Sequence, residues 1–140
     1  SRIGGEMHIR PGGTYAGGTI GSLNVAGTLL LDPATKSQTR VKDTLSLEPD
    51  STLAFKVGKD EAHSTLKVEN RAVLNNATLN IEVTAENDQL LGRQLRVVDA
   101  QQVDGQFGTV TSNLKAYTPE LIYTPTGAFV AFKPKEAVAA

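Results

Sequence analysis

Short runs in which every second residue is apolar constrain the fold of this chain most strongly. Leu23 and Val25 alternate with polar or small residues, and similar runs continue to residue 83. Alternation of period two points successive side chains to opposite faces of a β-strand, and none of these runs fits helical spacing well. The chain is therefore predicted to be all-β. The predicted inward-facing core residues are Leu23, Val25, Leu29, Leu31, Leu45, Leu47, Leu53, Phe55, Val57, Leu66, Val68, Leu79, Ile81 and Val83.

The alternating runs recur at a nearly constant interval. Leu23, Leu45 and Leu66 open comparable runs that lie 22 and 21 residues apart, and Leu31 and Leu53 are also 22 apart. A fixed interval of about 20 residues is typical of a solenoid. Since each repeat holds short strands and turns without a helix, the pattern favours a single-stranded right-handed parallel β-helix. The alternative is an antiparallel sandwich or barrel, which also has strands every ~8–12 residues.

The pattern changes in the last third of the chain. Three of the four Phe residues lie there, and Thr124-Pro125-Thr126-Gly127 predicts a tight hairpin turn. Because the open end of a solenoid exposes its core and unpaired backbone, it needs a cap. We predict β-helix coils over 1–90, a cap with a hairpin over 91–134, and a linker starting at 135–140. The predicted cap residues are Leu95, Val97, Gly105, Phe107, Val110, Leu121, Tyr123, Phe129 and Phe132.

A Gly-rich stretch near the start of the chain predicts turns. Gly12, Gly21 and Gly27 are predicted to occupy sharp corners, at the positive φ angles that Gly adopts without strain. The stretch lacks the Gly-Lys-Ser/Thr of a phosphate-binding loop and the Asp residues of a calcium-binding β-roll. These glycines are therefore predicted to shape the backbone.

Charge and composition indicate little chemistry. The formal net charge of −1 argues against a nucleic-acid partner, and the absence of Cys excludes disulfides and thiolate metal sites. His8 and His63 are 55 residues apart in polar surroundings and are predicted to be solvated. Asp60-Glu61-Ala62-His63 is a candidate metal cluster, but adjacent residues of an extended segment point in different directions. We predict no enzymatic activity, no cofactor and no metal site.

Five motifs in order carry a resemblance to a known family. They are Pro11 to Leu31 with its Gly-Gly-Thr and Ile-Gly-Ser-Leu-Asn-Val, then Asp50 to Val57, Asn76 to Ile81, Val103 to Val110, and Leu121 to Val130. Their order and spacing over about 120 residues resemble the C-terminal part of autotransporter passengers. Asp50 and Asn76 stand where that family often has Gly.

The resemblance implies a function at the bacterial surface. The matching region of autotransporters is the autochaperone, a stable folding nucleus and template that promotes folding and outer-membrane translocation of the passenger. The implied partners are the upstream passenger coils of the same polypeptide and its own C-terminal outer-membrane β-barrel. The implied location is the cell surface of a Gram-negative bacterium, reached by type V secretion as part of a secreted virulence protein. We expect the chain to be cut from a longer precursor.

Two other classes of function stay open. The first is an adhesin or self-association module of a surface-exposed virulence protein, which contacts host surfaces or other copies. Exposed aromatic residues would favour it, but Tyr15 and Phe55 are the only ones between Met7 and Val83. The second is a polysaccharide-active enzyme, which needs carboxylates clustered on one face, whereas the acidic residues here are spread along the chain.

Overall fold

The computed structural model describes residues 2–15, 17–34, 39–58, 62–84, 90 and 92–134. Within these residues the chain is all-β, with fifteen strands and no α-helix. The strands are β1 (Arg2–Ile9), β2 (Thr14–Tyr15), β3 (Gly18–Val25), β4 (Thr28–Leu31), β5 (Thr39–Val41), β6 (Thr44–Leu47), β7 (Thr52–Val57), β8 (Leu66–Val68), β9 (Arg71–Val73), β10 (Thr78–Val83), β11 (Gln94–Asp99), β12 (Gln102–Asp104), β13 (Thr109–Ser112), β14 (Tyr117–Thr124) and β15 (Gly127–Pro134).

Most strands pair in parallel, in three series that we call ladders A, B and C. Ladder A joins β1 and the second half of β3 to β6, β9 and β12. Ladder B joins β1 and the first half of β3 to β5, β8 and β11. Ladder C joins β2, β4, β7, β10 and β13. Ladders A and B lie in a ten-stranded sheet, and ladder C is a five-stranded sheet.

Alternation along each strand builds the core. In β7 the apolar side chains of Leu53, Phe55 and Val57 are fully buried, while the residues between them are half-exposed. The register places identical residues next to one another: Leu29, Leu53 and Leu79 are consecutive partners in ladder C. Strand neighbours lie about 4.8 Å apart, so such residues form close-packed columns. All fourteen residues predicted to face inward are at most 4% exposed.

The predicted alignment of repeats is wrong in two details. Leu45 pairs with Ala72, which is 27 residues away, whereas Leu66 lies in ladder B. Leu53 pairs with Leu29 and not with Leu31. The interval between partners is not constant, because register fixes only the residues inside the ladders. The connecting segments can lengthen freely, since the entropy of loop closure rises slowly with length.

Parallel pairing continues beyond residue 90. β12 pairs in parallel with β9, and β13 with β10. Antiparallel pairing begins with β15, which pairs with both β11 and β14. The interval 91–134 therefore contains one more passage through the three ladders, followed by the predicted hairpin, whose two-residue turn is Pro125-Thr126. The predicted linker at 135–140 lies outside the described residues.

The three predicted turn glycines differ in what they do. Gly12 has the expected positive φ of 83°, whereas Gly21 lies inside β3 and has no positive φ. The expected positive φ is therefore wrong for Gly21, which stays extended within β3, between the residues that pair in ladder B and those that pair in ladder A. Gly27 also has no positive φ, but a Cβ atom there would lie 2.3 Å from the carbonyl oxygens of both Arg10 and Gly13. Gly27 is required by close backbone approach.

Replacing Gly27 by Ala should therefore destabilise the chain. Neither contacting oxygen belongs to a flexible side chain, so the turn above Gly27 has to shift. We expect the free energy of unfolding, measured by urea denaturation, to fall by about 1–3 kcal/mol. The matched control is Gly58→Ala, whose Cβ atom would meet its nearest neighbours at 3.7 Å. Equal effects of the two substitutions would contradict this role of Gly27.

Candidate functional site

The first two strands leave an edge without a partner strand in the described part of the chain. β1 pairs on one side with β3, and β2 pairs on one side with β4. No described strand lies on their opposite sides. The backbone N–H and C=O groups along such an edge form a template for a further strand. This N-terminal end is therefore chemically competent to extend the ladders.

The apolar layer at the same end is incompletely covered. Met7, Ile9 and Tyr15 pack against the core but are only partly buried. Their register partners in β3 and β4 are at most 1% exposed. Burial nevertheless raises the pKa of Tyr15. Another layer of strands would remove the three side chains from water and gain the hydrophobic energy that the inner layers already have.

A tight turn holds this edge in place. The carbonyl oxygen of Ile9 accepts hydrogen bonds from the backbone N–H groups of Ala26 (2.7 Å) and Gly27 (3.1 Å). Thr28 donates its N–H to the carbonyl of Gly13 at 2.8 Å. These bonds fix the segment between β1 and β2 directly against the strands below. The edge is thus ordered in advance, which lowers the entropic cost of adding a strand.

The opposite end of the ladders is covered by the hairpin of β14 and β15. Val130 is fully buried and Phe132 is 4% exposed. Phe107, in the segment between β12 and β13, is 5% exposed and donates its backbone N–H to the Tyr123 hydroxyl at 3.0 Å. Burial raises the pKa of Tyr123, although the hydrogen bond from Phe107 opposes this shift. The hairpin therefore combines apolar cover with a specific polar contact.

The hairpin is also joined to the ladders by hydrogen bonds to its turn and by a cation–π contact with the Phe129 ring. The carbonyl groups of Thr126 and Pro125 accept hydrogen bonds from the N–H groups of Ala100 (3.0 Å) and Val103 (2.9 Å). The Arg96 guanidinium lies 4.7 Å from the centroid of the Phe129 ring. A cation at this distance from an aromatic face is attracted to it. These contacts fix the orientation of the hairpin.

The outer strand of the hairpin has features that oppose further pairing. β14 pairs only with β15 among the described strands. It contains Pro119, which lacks an N–H group, and the exposed Glu120, whose carboxylate lies 3.2 Å from the Lys133 ammonium. Proline and charged side chains are common means of protecting sheet edges. The two ends of ladder B therefore differ in their capacity to accept another strand, whereas β12 and β13 at the C-terminal ends of ladders A and C each have a described partner strand on one side only.

The predicted cap residues lie in β11, in β13, in the segment between β12 and β13, and in the hairpin, and their environments differ. Gly105 is exposed with a φ of 77°, in the segment between β12 and β13. The buried cap residues are Leu95, Val97, Phe107 and Phe132. The half-buried cap residues are Val110, Leu121, Tyr123 and Phe129.

Asn113 has a structural role that the sequence pattern does not indicate. Its side-chain Oδ1 accepts the backbone N–H of Val83 at 2.8 Å, and its Nδ2 donates to the Val83 carbonyl at 2.9 Å. The amide thereby satisfies the two backbone groups that lie beyond the last residue pair of β10 and β13. A single Asn after a strand is also compatible with an ordinary turn, so no signal distinguishes it in the sequence.

A charged contact joins β9 to β12. The Asp104 carboxylate accepts hydrogen bonds from Gln102 Nε2 at 2.9 and 3.0 Å and from Arg71 Nε. The Gln102 hydrogen bond and then the Arg71 guanidinium lower the pKa of Asp104. The folded chain therefore favours the ionised carboxylate.

Of the potential ligands in the candidate metal cluster Asp60-Glu61-Ala62-His63, only His63 is among the described residues. His8 Nε2 lies 2.9 Å from Glu6 Oε1 at an exposed site, and the ring centroid of His63 lies 5.8 Å from that of Phe55. Asp60 and Glu61 lie outside the described residues. No group of three potential metal ligands occurs in the part of the chain that is described. That part also contains no helix with the length and hydrophobicity needed to cross a membrane.

Replacing Tyr123 by Phe should weaken the attachment of the hairpin. The substitution keeps the ring but removes the acceptor for the Phe107 N–H group, so a poorly solvated donor loses its partner. We expect a loss of about 1–3 kcal/mol in the free energy of unfolding. Tyr15→Phe is the matched control at the opposite end and should cost less. A cost for Tyr123→Phe no larger than that of the control would contradict the proposed contact.

Asp104 should contribute to stability in a pH-dependent way. Because its pKa in the folded chain is lower than the usual aspartate value of 3.8, its contribution is present above that pH and is lost as the pH falls through the folded pKa. In Asp104→Asn the decrease of the urea midpoint below pH 3.8 should be shallower than in the parent chain. Asp50→Asn controls for loss of one carboxylate. If the urea midpoint of Asp104→Asn decreased at low pH as steeply as that of the parent chain, this contribution would be ruled out.

Comparisons with known proteins yield no relative: no protein-family model matches this chain, and no curated protein matches it.

Proposed function

We propose that the chain is a right-handed parallel β-helix closed by an antiparallel hairpin, and that it serves as the autochaperone segment of an autotransporter passenger. The order of the strands supports the first part. Along the described chain, strands enter ladders B, A and C in the same order five times, always in parallel register. In the proposed β-helix each such passage is one coil, and the columns of aliphatic side chains fill its interior.

The difference between the two ends is the observation that supports the autochaperone function best. The hairpin continues ladder B at the C-terminal end and buries apolar side chains there, and Pro119 and Glu120 protect its outer strand. The N-terminal end offers an unpaired, hydrogen-bond-fixed edge in the described residues, with an apolar layer that includes Ile9. An added coil therefore finds a prepared surface at the N-terminal end.

Physical chemistry favours folding from such an end. A parallel β-helix without a nucleus forms slowly, because each long-range contact requires prior loop closure. When one coil is already folded, the next needs only nearest-neighbour contacts and can propagate along the chain. A stable C-terminal nucleus thus lets upstream coils of the same polypeptide fold one after another. This role requires neither enzymatic activity nor a cofactor.

The proposal includes a location and a second partner. As the autotransporter resemblance implies, the segment acts at the surface of a Gram-negative bacterium after export across the outer membrane. Its own C-terminal β-barrel lies in that membrane, downstream in the same polypeptide.

A substitution on the apolar layer tests the autochaperone function. Ile9→Lys should reduce the amount of protease-resistant, surface-displayed passenger in cells that express the precursor. Covering an unpaired charge with an added coil costs at least ~1.4 kcal/mol, so we expect a decrease of about tenfold or more. Passenger resistance is measured by proteolysis of intact cells and immunoblotting.

The matched control is His8→Lys, on the same strand but at an exposed position. It should leave surface display nearly unchanged. Urea denaturation of the isolated chain verifies that both variants retain a cooperative transition. Any loss of display then results from impaired addition of a coil at β1 and not from unfolding of the chain itself. Equal display of the Ile9→Lys variant and the parent would refute the template function. If the isolated chain dimerises and Ile9→Lys abolishes only that dimerisation, the self-association alternative is favoured.

A further inference from the structure

The connections between the parallel strands are unequal in length, and the long ones all join ladder C to ladder B. The three longest are residues 32–38, 58–65 and 84–93, and each runs from ladder C to ladder B. The other connections between the parallel strands contain only two to four residues. In repeat folds, insertions that collect on one side often border a binding face. The neighbouring outer face of ladder B is therefore a place to look for a ligand site.

A groove lies on this face of ladder B. It has a volume of about 510 Å³ and is lined by hydroxyl residues and basic residues. Among the described residues, the lining contains no carboxylate and no large apolar side chain. Ligand sites commonly have volumes of ~300–1,000 Å³. The size of the groove suits two or three sugar units, and its polar lining suits a hydrophilic ligand.

Two cations lie side by side in the groove. Arg40 and Lys67 are register partners on β5 and β8, so their backbones are about 4.8 Å apart. Arg40 Nε lies 3.3 Å from Glu69, and Lys67 Nζ lies 3.8 Å from Asp99. Because both pairs are solvent-exposed, each is worth little, and an anionic ligand can compete with these carboxylates. The two cations can then share one acidic group.

Four hydroxyl residues line the groove together with the two cations: Thr19 and Thr65 are half-exposed, whereas Thr39 and Ser64 are buried. Thr39 is 2% exposed and accepts a hydrogen bond from the Gly17 N–H at 3.0 Å. Thr65 donates its hydroxyl to the Arg96 carbonyl at 2.8 Å. These bonds restrict the rotamers of both threonines. Hydroxyl groups can donate and accept, which matches the hydroxyl groups of a sugar ring.

We propose that this groove binds an acidic oligosaccharide, whose carboxylate or sulfate group lies between Arg40 and Lys67 and whose hydroxyl groups contact the half-exposed Thr19 and Thr65. A nucleic acid fits less well, since the lining has no Phe, Tyr or Trp on which bases could stack. Glu69 and Asp99 next to the cations also disfavour a ligand with a continuous line of phosphates. The inference is independent of the autochaperone function.

The test measures binding of three hexasaccharide probes to the full chain by titration calorimetry. The probes are hexagalacturonate, which carries only carboxylates, a sulfated heparin-derived hexasaccharide, and neutral maltohexaose. We expect at least one acidic probe to bind and the neutral one not to bind. Whichever acidic probe binds more tightly identifies the acidic group that the groove prefers.

Substitutions of the two cations test whether the acidic probe binds in the groove. Arg40→Gln combined with Lys67→Gln should weaken the dissociation constant for the acidic probe by about tenfold or more, because charge-assisted hydrogen bonds are lost. The matched control combines Lys56→Gln with Lys133→Gln, which removes the same charge outside the groove. It should change the dissociation constant less than about twofold. Urea denaturation checks that all variants fold, and Lys67→Gln alone replaces the double variant if the latter does not fold.

Several results would overturn the site. These are the absence of calorimetric binding of both acidic probes at millimolar concentration, equal weakening in the groove variant and the charge-matched control, or binding of maltohexaose as tight as that of the acidic probes.

Discussion

In-register parallel pairing is the interaction on which the remainder of this structure depends. It sets Leu29, Leu53 and Leu79 next to one another, and the same holds for the columns in ladders A and B. A slip of one residue in any strand would turn all its apolar side chains toward water. Since the chain has no Cys, these columns and the backbone hydrogen bonds between strands must supply its stability. The fold is thus specified by repeated, mutually dependent choices of register.

The segments between ladders obey different rules. Where the chain turns sharply, backbone geometry decides which residue is allowed. Asn75 and Asn76 have φ angles of 51° and 60°, in the left-handed region that Asn tolerates better than most residues. Gly27 is needed because two carbonyl oxygens approach it. The connections between ladders differ in length, because the entropy of loop closure rises only slowly with the number of residues. Function can therefore be added at the connections without disturbing the columns.

Much of the architecture could be predicted from the chain itself. Alternation identified which side chains face inward, and Pro125-Thr126 identified the hairpin turn. Alternation could not identify strand partners, because it reports the face of a strand and not its neighbour. For this reason Leu66 seemed to continue the series of Leu45, although Ala72 is the residue that pairs with Leu45.

The candidate sites were less visible in the sequence. The groove unites Arg40 with Lys67 across 27 residues, and no local pattern links them. Likewise, the role of Gly27 depends on Arg10 and Gly13, which approach it only in the folded chain. The resemblance to autotransporters predicts a role for the chain but contains no information on which edge is open. That distinction required the pairing of β1 and the packing of the hairpin.

The side-chain amide of Asn113 has a consequence for how this protein avoids becoming a fibril. Stacked parallel strands with matching residues above one another have the geometry of cross-β fibres, which lengthen wherever a strand end offers free backbone groups. The Asn113 side chain binds both backbone groups of Val83, where a neighbouring strand would otherwise bind them. A side-chain amide, unlike a strand, offers no row of backbone groups with which another molecule could pair. The two backbone groups of Val83 are thereby unavailable for pairing with a strand of another molecule.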